Sequence, residues 1–144
     1  MKDGERAAMP RKIIHLITGL QVGGAESMLV KLLAAMDRAR FDPEVVSLIS
    51  GGPNREALVD LGVPVHELGM RPGLPGPVTM WRLRRIAHEL RPDLVQGWMY
   101  HGNLAAAWLA GQASSRPEQI WNIRHSVDDL GDERPLTRMV IRLG

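Results

Sequence analysis

The chain has 144 residues, which is enough for one domain with a hydrophobic core. Apolar residues make up 44% and charged residues 24%, the balance of a soluble globular protein, and a formal net charge of +2 gives no reason to expect a nucleic-acid partner. The sequence contains no cysteine, which excludes disulfides and cysteine-ligated zinc or iron–sulfur sites.

The N-terminal segment is polar and lacks the apolar middle of a secretory signal. We therefore expect a disordered tail over residues 1–11 and a cytoplasmic domain over residues 12–144. No apolar run approaches the length of about 20 residues that a membrane-spanning helix needs. Arginines cluster at two places, which ordinarily indicates solvated helix faces; peripheral contact with the inner face of a membrane is the alternative. They are Arg82, Arg84, Arg85, Arg91, Arg134, Arg138 and Arg142.

Strand-like and helix-like segments alternate along the chain. The predicted elements are strand Ile13–Ile17, helix Ala25–Met36, strand Val45–Ile49, helix Asn54–Leu61, strand Val63–Leu68, helix 80–90, strand Asp93–Trp98, helix Asn103–Gly111, strand Ile120–Arg124 and helix Pro135–Leu143. This alternation predicts a Rossmann-like α/β domain, with a parallel sheet and helices on both faces. Pro64 cannot donate a hydrogen bond, so the third strand should start late or lie near an edge. The chain ends where a helix begins, so we expect an incomplete domain.

The most informative stretch is HLITGLQVGGAE, residues 15–26, which runs from a strand through a glycine-bearing turn into a helix. Ligands of parallel sheets gather at the carboxyl ends of strands, and the N–H groups at a helix start suit a phosphate. Two plainer interpretations stay open. Gly23 and Gly24 would merely permit a tight turn, and Glu26 would merely stabilise the helix dipole.

Two common phosphate-binding motifs do not fit this stretch. Gly19 and Gly24 have the separation of a P-loop, but Ala25 and Glu26 stand where that motif needs Lys and Ser or Thr. The glycines also miss the G-x-G-x-x-G spacing of a dinucleotide site. After the second strand Gly51–Gly52 follow, so no acidic residue stands at the ribose position.

Three segments in order resemble one enzyme family. They are ITGLQVGGAE (17–26), DLVQGWMYHGNLAA (93–106) and WNIRHS (121–126). Together they resemble the N-terminal domain of GT-B glycosyltransferases, in particular the large retaining group called family 4. The resemblance covers about residues 11–143 and so implies the N-terminal half of a GT-B fold, truncated.

This resemblance implies a two-domain enzyme with its active site in the cleft between the domains. The N-terminal domain holds the acceptor, and the C-terminal domain holds the nucleotide-sugar with an E-x7-E pair that this chain lacks. The implied reaction moves a sugar, with retention, from a nucleoside-diphosphate sugar to a glycan, lipid-linked or small-molecule hydroxyl, as in polysaccharide biosynthesis. The nucleotide-sugar is a substrate, and we expect no cofactor and no metal. Residues 1–144 alone are expected to be inactive.

The resemblance also assigns the candidate site residues. Glu26 and the backbone of Gly23 and Gly24 would reach the donor, and His101 would be the catalytic residue near the transferred sugar. Without the family, His101 would be interpreted as capping the next helix or packing under Trp98 and Tyr100.

Further substrate contacts are expected from Trp98, nearest the cleft, and from Arg124 and His125 at the end of the fifth strand. A salt bridge from Arg124 to Asp128 or Asp129 is an equal alternative. The other aromatic and imidazole side chains are expected to be structural. These are Trp81, Trp108 and Trp121, placed in the core, with His15, His66 and His88.

Two other classes of function stay open. One is a non-catalytic sugar- or nucleotide-binding module, or partial gene product, with a glycosyltransferase-like fold. The other is a different GT-B-shaped sugar-nucleotide enzyme, such as an epimerase. An E-x7-E pair further along the gene product would favour the transferase.

Overall fold

The computed structural model describes residues 9–71, 73 and 75–122. The strands in these ranges are β1 (Arg11–Ile17), β2 (Phe41–Ser47), β3 (Val65–Glu67), β4 (Leu94–Trp98) and β5 (Glu118–Asn122). The helices are α1 (Gly24–Ala34), α2 (Pro53–Asp60), α3 (Pro77–Leu90) and α4 (Met99–Gln112). The predicted alternation is confirmed over this part of the chain. The helix predicted at Pro135–Leu143 lies outside the described residues.

Several boundaries differ from the prediction; β2, for example, begins at Phe41 instead of Val45, and β5 spans Glu118–Asn122 instead of Ile120–Arg124. Strand β1 already includes Arg11, which the sequence assigned to the tail, because its N–H donates to the Arg40 carbonyl at 2.9 Å. Helix α4 begins at Met99, four residues before the predicted start at Asn103, so no loop separates it from β4.

The five strands form one parallel sheet in the order β3-β2-β1-β4-β5, as the Rossmann-like prediction requires. Strand β3 begins at Val65, directly after Pro64, and lies at the edge of the sheet. Both expectations drawn from Pro64 are therefore confirmed.

Both faces of the sheet are buried against helices, as expected for an apolar strand such as β1. Ile14 and Leu16 pack in a cluster with residues of α3 and α4, including Leu83 and Leu109. Ile17 packs in a second cluster with residues of α1 and α2. The alternating side chains of β1 thus enter both layers. Because β1 is parallel to β2 and β4, the carboxyl ends of these strands lie at one edge of the sheet.

The tryptophan placements correct the sequence analysis. Trp108 packs against the α3–α4 cluster as expected. The expectation of a core position is wrong for Trp81, which is 59% exposed, and for Trp121, which is 38% exposed. Trp81 lies on the solvent face of α3, because Leu83 and its helical neighbours supply the buried face. Trp121 lies on β5, whose residues are mostly exposed at the edge of the sheet.

Candidate functional site

The carboxyl ends of β1 and β4 form the topological switch point of the sheet. From β1 the chain continues to β2 and β3 on one side, and it then crosses to β4 and β5 on the other. Helix α1 follows β1 through residues 18–23, here called the glycine loop, and α4 follows β4 directly. Because the two connections leave in opposite directions, a crevice opens between the helix starts, where ligands of this architecture bind.

An open pocket of about 310 Å³ occupies this crevice. Gly24, Ala25 and Glu26 line it from the first turn of α1, and Met99 lines it from the start of α4. Two predicted site residues, Gly24 and Glu26, therefore line the cavity from one helical turn, and the fold brings Met99, which was not predicted from the sequence, to the same cavity.

The backbone at the two glycines does not require glycine. Gly23 is extended, with φ −173° and ψ 168°, and Gly24 lies outside the left-handed region. The interpretation that these glycines serve a tight turn of positive φ is therefore wrong, since any residue adopts such angles.

What the glycines provide is space. A Cβ on Gly24 would meet no atom within 4 Å, so this position leaves open volume over the helix start. A Cβ on Gly23 would overlap the Glu26 Oε2 atom, so the absence of a side chain there makes room for the Glu26 carboxylate.

The start of α1 is suited to an anion. The first hydrogen bond of the helix runs from Ser27 N–H to the Gly23 carbonyl at 3.0 Å. The N–H groups of the three helical residues before Ser27 therefore have no acceptor within the helix. The N-cap residue is Gly23, which has no side chain that could accept hydrogen bonds from them. These N–H groups and the helix dipole attract negative charge, and the Glu26 carboxylate in the first turn is the chain's own negative group there.

Met99 has a backbone conformation that is rare outside glycine. Its φ is 61°, in the left-handed region, at the junction where β4 turns into α4 without a loop. Two glycines allow α4 to dock so closely. A Cβ on Gly97 would lie 2.5 Å from Asn103 Cα, and a Cβ on Gly102 would lie 2.6 Å from the Leu16 carbonyl oxygen. The sharp turn at Met99 follows from this docking, and such strain concentrates at functional sites.

Comparison with protein-family models decides the family. The model of the glycosyl transferase 4-like domain matches residues 23–143. The chain belongs to this family. A comparison with curated proteins finds no match. Membership assigns the chain to glycosyltransferase-type chemistry in general, and it confirms the resemblance to GT-B glycosyltransferases of family 4.

His101 occupies the first turn of α4 in this glycosyl transferase 4-like domain, at the same edge of the sheet as the pocket. It is partly buried and is not one of the residues that line the pocket. The helix starts at Met99 and its N-cap is Trp98, so the interpretation of His101 as a capping residue is wrong. His101 lies beside the crevice, and its role at the transferred sugar stays a prediction.

Trp98 does not present its ring to the crevice. The side chain is 1% exposed and packs in the α1–α2 cluster, and Nε1 donates to Nδ1 of His15 at 3.3 Å. The expected substrate contact by this ring is therefore corrected to a core role. Alternation along β4 directs Trp98 into the α1–α2 layer, and the turn at the next residue brings Met99 to the pocket.

The buried His15 confirms the structural role expected for it. Burial lowers the pKa of His15 to about 4, so the imidazole is neutral at physiological pH and can accept the Trp98 hydrogen bond.

The other predicted contacts, Arg124 and His125, lie outside the described residues. Within the described ranges, no helix of this domain is long and apolar enough to cross a membrane. In the same ranges, no three His, Asp or Glu side chains are grouped to hold a metal ion.

Proposed function

We propose that this domain is the acceptor-side half of a retaining glycosyltransferase that moves a sugar from a nucleoside-diphosphate sugar to a hydroxyl acceptor. One observation carries the proposal. The Cβ position of Gly24 is open, at an uncapped helix start, across a crevice from the strained Met99, and this crevice lies at the switch point of the sheet. A phosphate can approach the backbone there closely, which a side chain at position 24 would prevent.

In this proposal the chain contributes by positioning and by charge. The N–H groups at the start of α1 stabilise the negative charge of the leaving diphosphate, and the crevice holds donor and acceptor in attack geometry. Glu26 is the side chain at the same pocket that can accept hydrogen bonds from hydroxyl groups of the donor or acceptor. His101 accepts a hydrogen bond from a hydroxyl of the transferred sugar.

The test is a donor screen on the full-length protein with UDP-, GDP- and ADP-sugars and simple hydroxyl acceptors. We expect release of the nucleoside diphosphate that depends on the acceptor, and a product with the anomeric configuration of the donor. Binding without release would support the non-catalytic module. Conversion of the nucleotide-sugar without any acceptor would support the epimerase-like alternative, and no binding to any of these nucleotides would overturn the proposal.

A second proposal concerns the cytoplasmic membrane surface as a peripheral partner. Trp81 is the most exposed tryptophan of the described residues, and the Arg85 guanidinium lies 5.7 Å from its ring centroid. Arg82 and Arg84 are also exposed on α3, so an aromatic ring and positive charge share one helix face. We expect Trp81→Ala to reduce sedimentation with phosphatidylglycerol vesicles and Trp121→Ala, on β5, to leave it unchanged. Equal sedimentation of all three proteins would contradict this contact.

A further inference from the structure

The glycine loop is held by a neighbouring loop along its length. Beyond the end of the paired strands, Leu48 N–H donates to the Ile17 carbonyl at 3.0 Å, and Ile49 N–H donates to the Thr18 carbonyl at 2.9 Å. The ladder between β1 and β2 thus continues into the connection that leads from β2 to α2. This connection, residues 48–52, is called the supporting loop below.

Asn54, the second residue of α2, makes the last contacts of this series. Its N–H donates to the Leu20 carbonyl at 3.1 Å, and its side-chain Nδ2 donates to the Gln21 carbonyl at 2.7 Å. Gln21 is two residues before Gly23. Val22, which lies between them, is 84% exposed, so burial does not hold this segment.

Gly52 fixes how closely the two loops approach. Its φ of 111° is a conformation that favours glycine, and a Cβ there would overlap the Leu20 carbonyl group and lie 2.8 Å from the Gln21 nitrogen. Since those atoms belong to the backbone, they cannot move aside as a flexible side chain can. The supporting loop therefore approaches the glycine loop at backbone contact distance.

The supporting loop is itself anchored to the edge strand β3. One Glu67 oxygen accepts a hydrogen bond from Gly51 N–H at 2.6 Å, and the other accepts one from Arg55 Nε at 3.0 Å. The Gly51 hydrogen bond is the main reason why the pKa of Glu67 is lowered, so this carboxylate stays charged and keeps both bonds at neutral pH. Contacts thus run from β3 to Gly51 and Arg55, and from Gly52 and Asn54 to the glycine loop.

We propose that Asn54 is a positioning residue for the phosphate-binding crevice: its side-chain amide fixes the Gln21 carbonyl and thereby the path of the glycine loop into α1. This inference rests on the proposed function for its effect on ligand binding, although Asn54 itself does not touch the pocket. Releasing Gln21 leaves Val22 and Gly23 held on this side only through Leu20, which is buried and whose carbonyl still accepts from the Asn54 N–H. The path from Gln21 into α1 is then less restricted, and the N–H groups at the head of α1 lose part of their common orientation.

A purely structural role for Asn54 makes a different prediction. Asn54 is the second residue of α2 and lies in its first turn. If it served only α2, its replacement would lower the stability of that helix and of the whole domain, and the glycine loop would not respond separately.

The test uses Asn54→Leu and Asn54→Ala in the full-length protein. Leucine keeps the branched shape and zero charge of asparagine but cannot donate a hydrogen bond. Glu56→Gln, at an exposed position of the same helical turn, is the matched control. Amide hydrogen exchange is compared at residues 22–24, in β1 and in α2. Affinity is measured by calorimetry with UDP, GDP and ADP as the probes.

We expect both Asn54 variants to raise exchange at residues 22–24 and to weaken nucleotide binding by about tenfold, as loss of one hydrogen bond implies. Exchange in β1 and the affinity of Glu56→Gln should stay at wild-type values. Uniformly raised exchange, or unchanged exchange at residues 22–24, would overturn the positioning role. If the wild-type protein binds none of the three nucleotides, the proposed function fails, and the exchange comparison still decides the role of Asn54. If it binds but the Asn54 variants bind equally well, the positioning role fails alone.

Discussion

Gly24 and Met99 lie on opposite sides of one open pocket, at the starts of the two helices that follow β1 and β4. Gly24 contributes an empty Cβ position with ordinary backbone angles, whereas Met99 contributes a side chain on a left-handed backbone. The residue that looks conformationally special in the sequence is therefore relaxed, and the strain lies at a residue that looks ordinary. This contrast makes the roles of both residues testable.

Replacing Gly24 with valine separates ligand contact from folding. The position has no positive φ and no neighbour within 4 Å, and valine is a slightly better helix former than glycine, so we expect the free energy of unfolding to change by less than about 1 kcal/mol. Donor affinity should fall strongly, because the valine side chain occupies the approach to the helix start. Thermal unfolding and nucleotide titration measure the two effects. A large loss of stability with unchanged affinity would return Gly24 to a structural role.

Met99 allows a test of backbone strain. A left-handed conformation costs a non-glycine residue about 1 kcal/mol, so Met99→Gly should be more stable than Met99→Ala, although glycine is normally the poorer helix former. Comparing these two variants removes the packing lost with the methionine side chain, since neither retains it. Denaturant unfolding measures the difference. A more stable alanine variant would mean that position 99 relaxes to a right-handed conformation in solution.

His101 should affect turnover more than stability. A positioned hydrogen-bond partner at the reacting sugar contributes about 2–4 kcal/mol to the transition state, by analogy with the loss of one oxyanion-hole donor. We therefore expect His101→Ala in the full-length protein to lower kcat by at least about 30-fold with a small change in Tm. His88→Ala, on an exposed face of α3, is the control. Lower stability with an unchanged rate per folded molecule would contradict the assignment.

The strands and helices of the sheet could be predicted because each is indicated by a pattern within a short stretch of sequence. Apolar runs such as Ile13–Ile17, alternating with helical spacing, define strands and crossover helices, and Pro64 marks the edge strand. The conformation of Met99 was not predictable in the same way. It depends on the docking of α4 against β1 and β4 through Gly97 and Gly102, which are contacts between distant parts of the chain.

The tryptophans and Asn54 show the same limit at the site. Trp81 was expected in the core because it lies within a predicted helix, and Trp98 was expected at the cleft because it ends the fourth strand; in the structure Trp81 is exposed and Trp98 is buried. The helical phase of α3 could have excluded Trp81, because Leu83 and Ile86 already define its buried face. The contact of Asn54 with Gln21 could not be predicted from the sequence. The two residues belong to different connections of the sheet, and no characteristic sequence spacing relates them.

Acid should destabilise the domain through His15. The imidazole has a pKa of about 4 when folded and 6.5 as its ordinary value, so the unfolded chain binds the extra proton between these values. Stability is therefore fully present above about pH 6.5 and is lost as the pH falls toward 4, by about 3 kcal/mol for this group. Denaturant unfolding between pH 4.5 and 6.5 measures how the free energy of unfolding changes with pH. In this range Glu67, whose pKa is lowered from 4.5, stays charged and does not contribute to the change. His15→Gln, which does not titrate, should show a clearly smaller slope, and an equal slope would exclude His15 as the cause.

Glu26 offers the sharpest separation of a helix effect from a ligand effect, because the chain contains a matched partner. Glu26 in α1 and Glu56 in α2 are both the acidic residue of a first helical turn, but only Glu26 lines the pocket. Each Glu→Gln change removes a favourable dipole interaction of about 0.3–1 kcal/mol, so both variants should lose a similar small amount of stability.

Only Glu26→Gln should change ligand binding and turnover. Its carboxylate folds back beside Gly23, where it repels an incoming phosphate, so its removal should strengthen binding of a plain nucleoside diphosphate, and more so at low salt. A nucleotide-sugar should gain less, because the amide replaces a carboxylate that accepts hydrogen bonds from sugar hydroxyls, and kcat should fall. Titration with the diphosphate and with the nucleotide-sugar, together with turnover of the full-length protein, distinguishes these effects. Identical behaviour of the two variants in all three measurements would reduce Glu26 to a helix-stabilising residue.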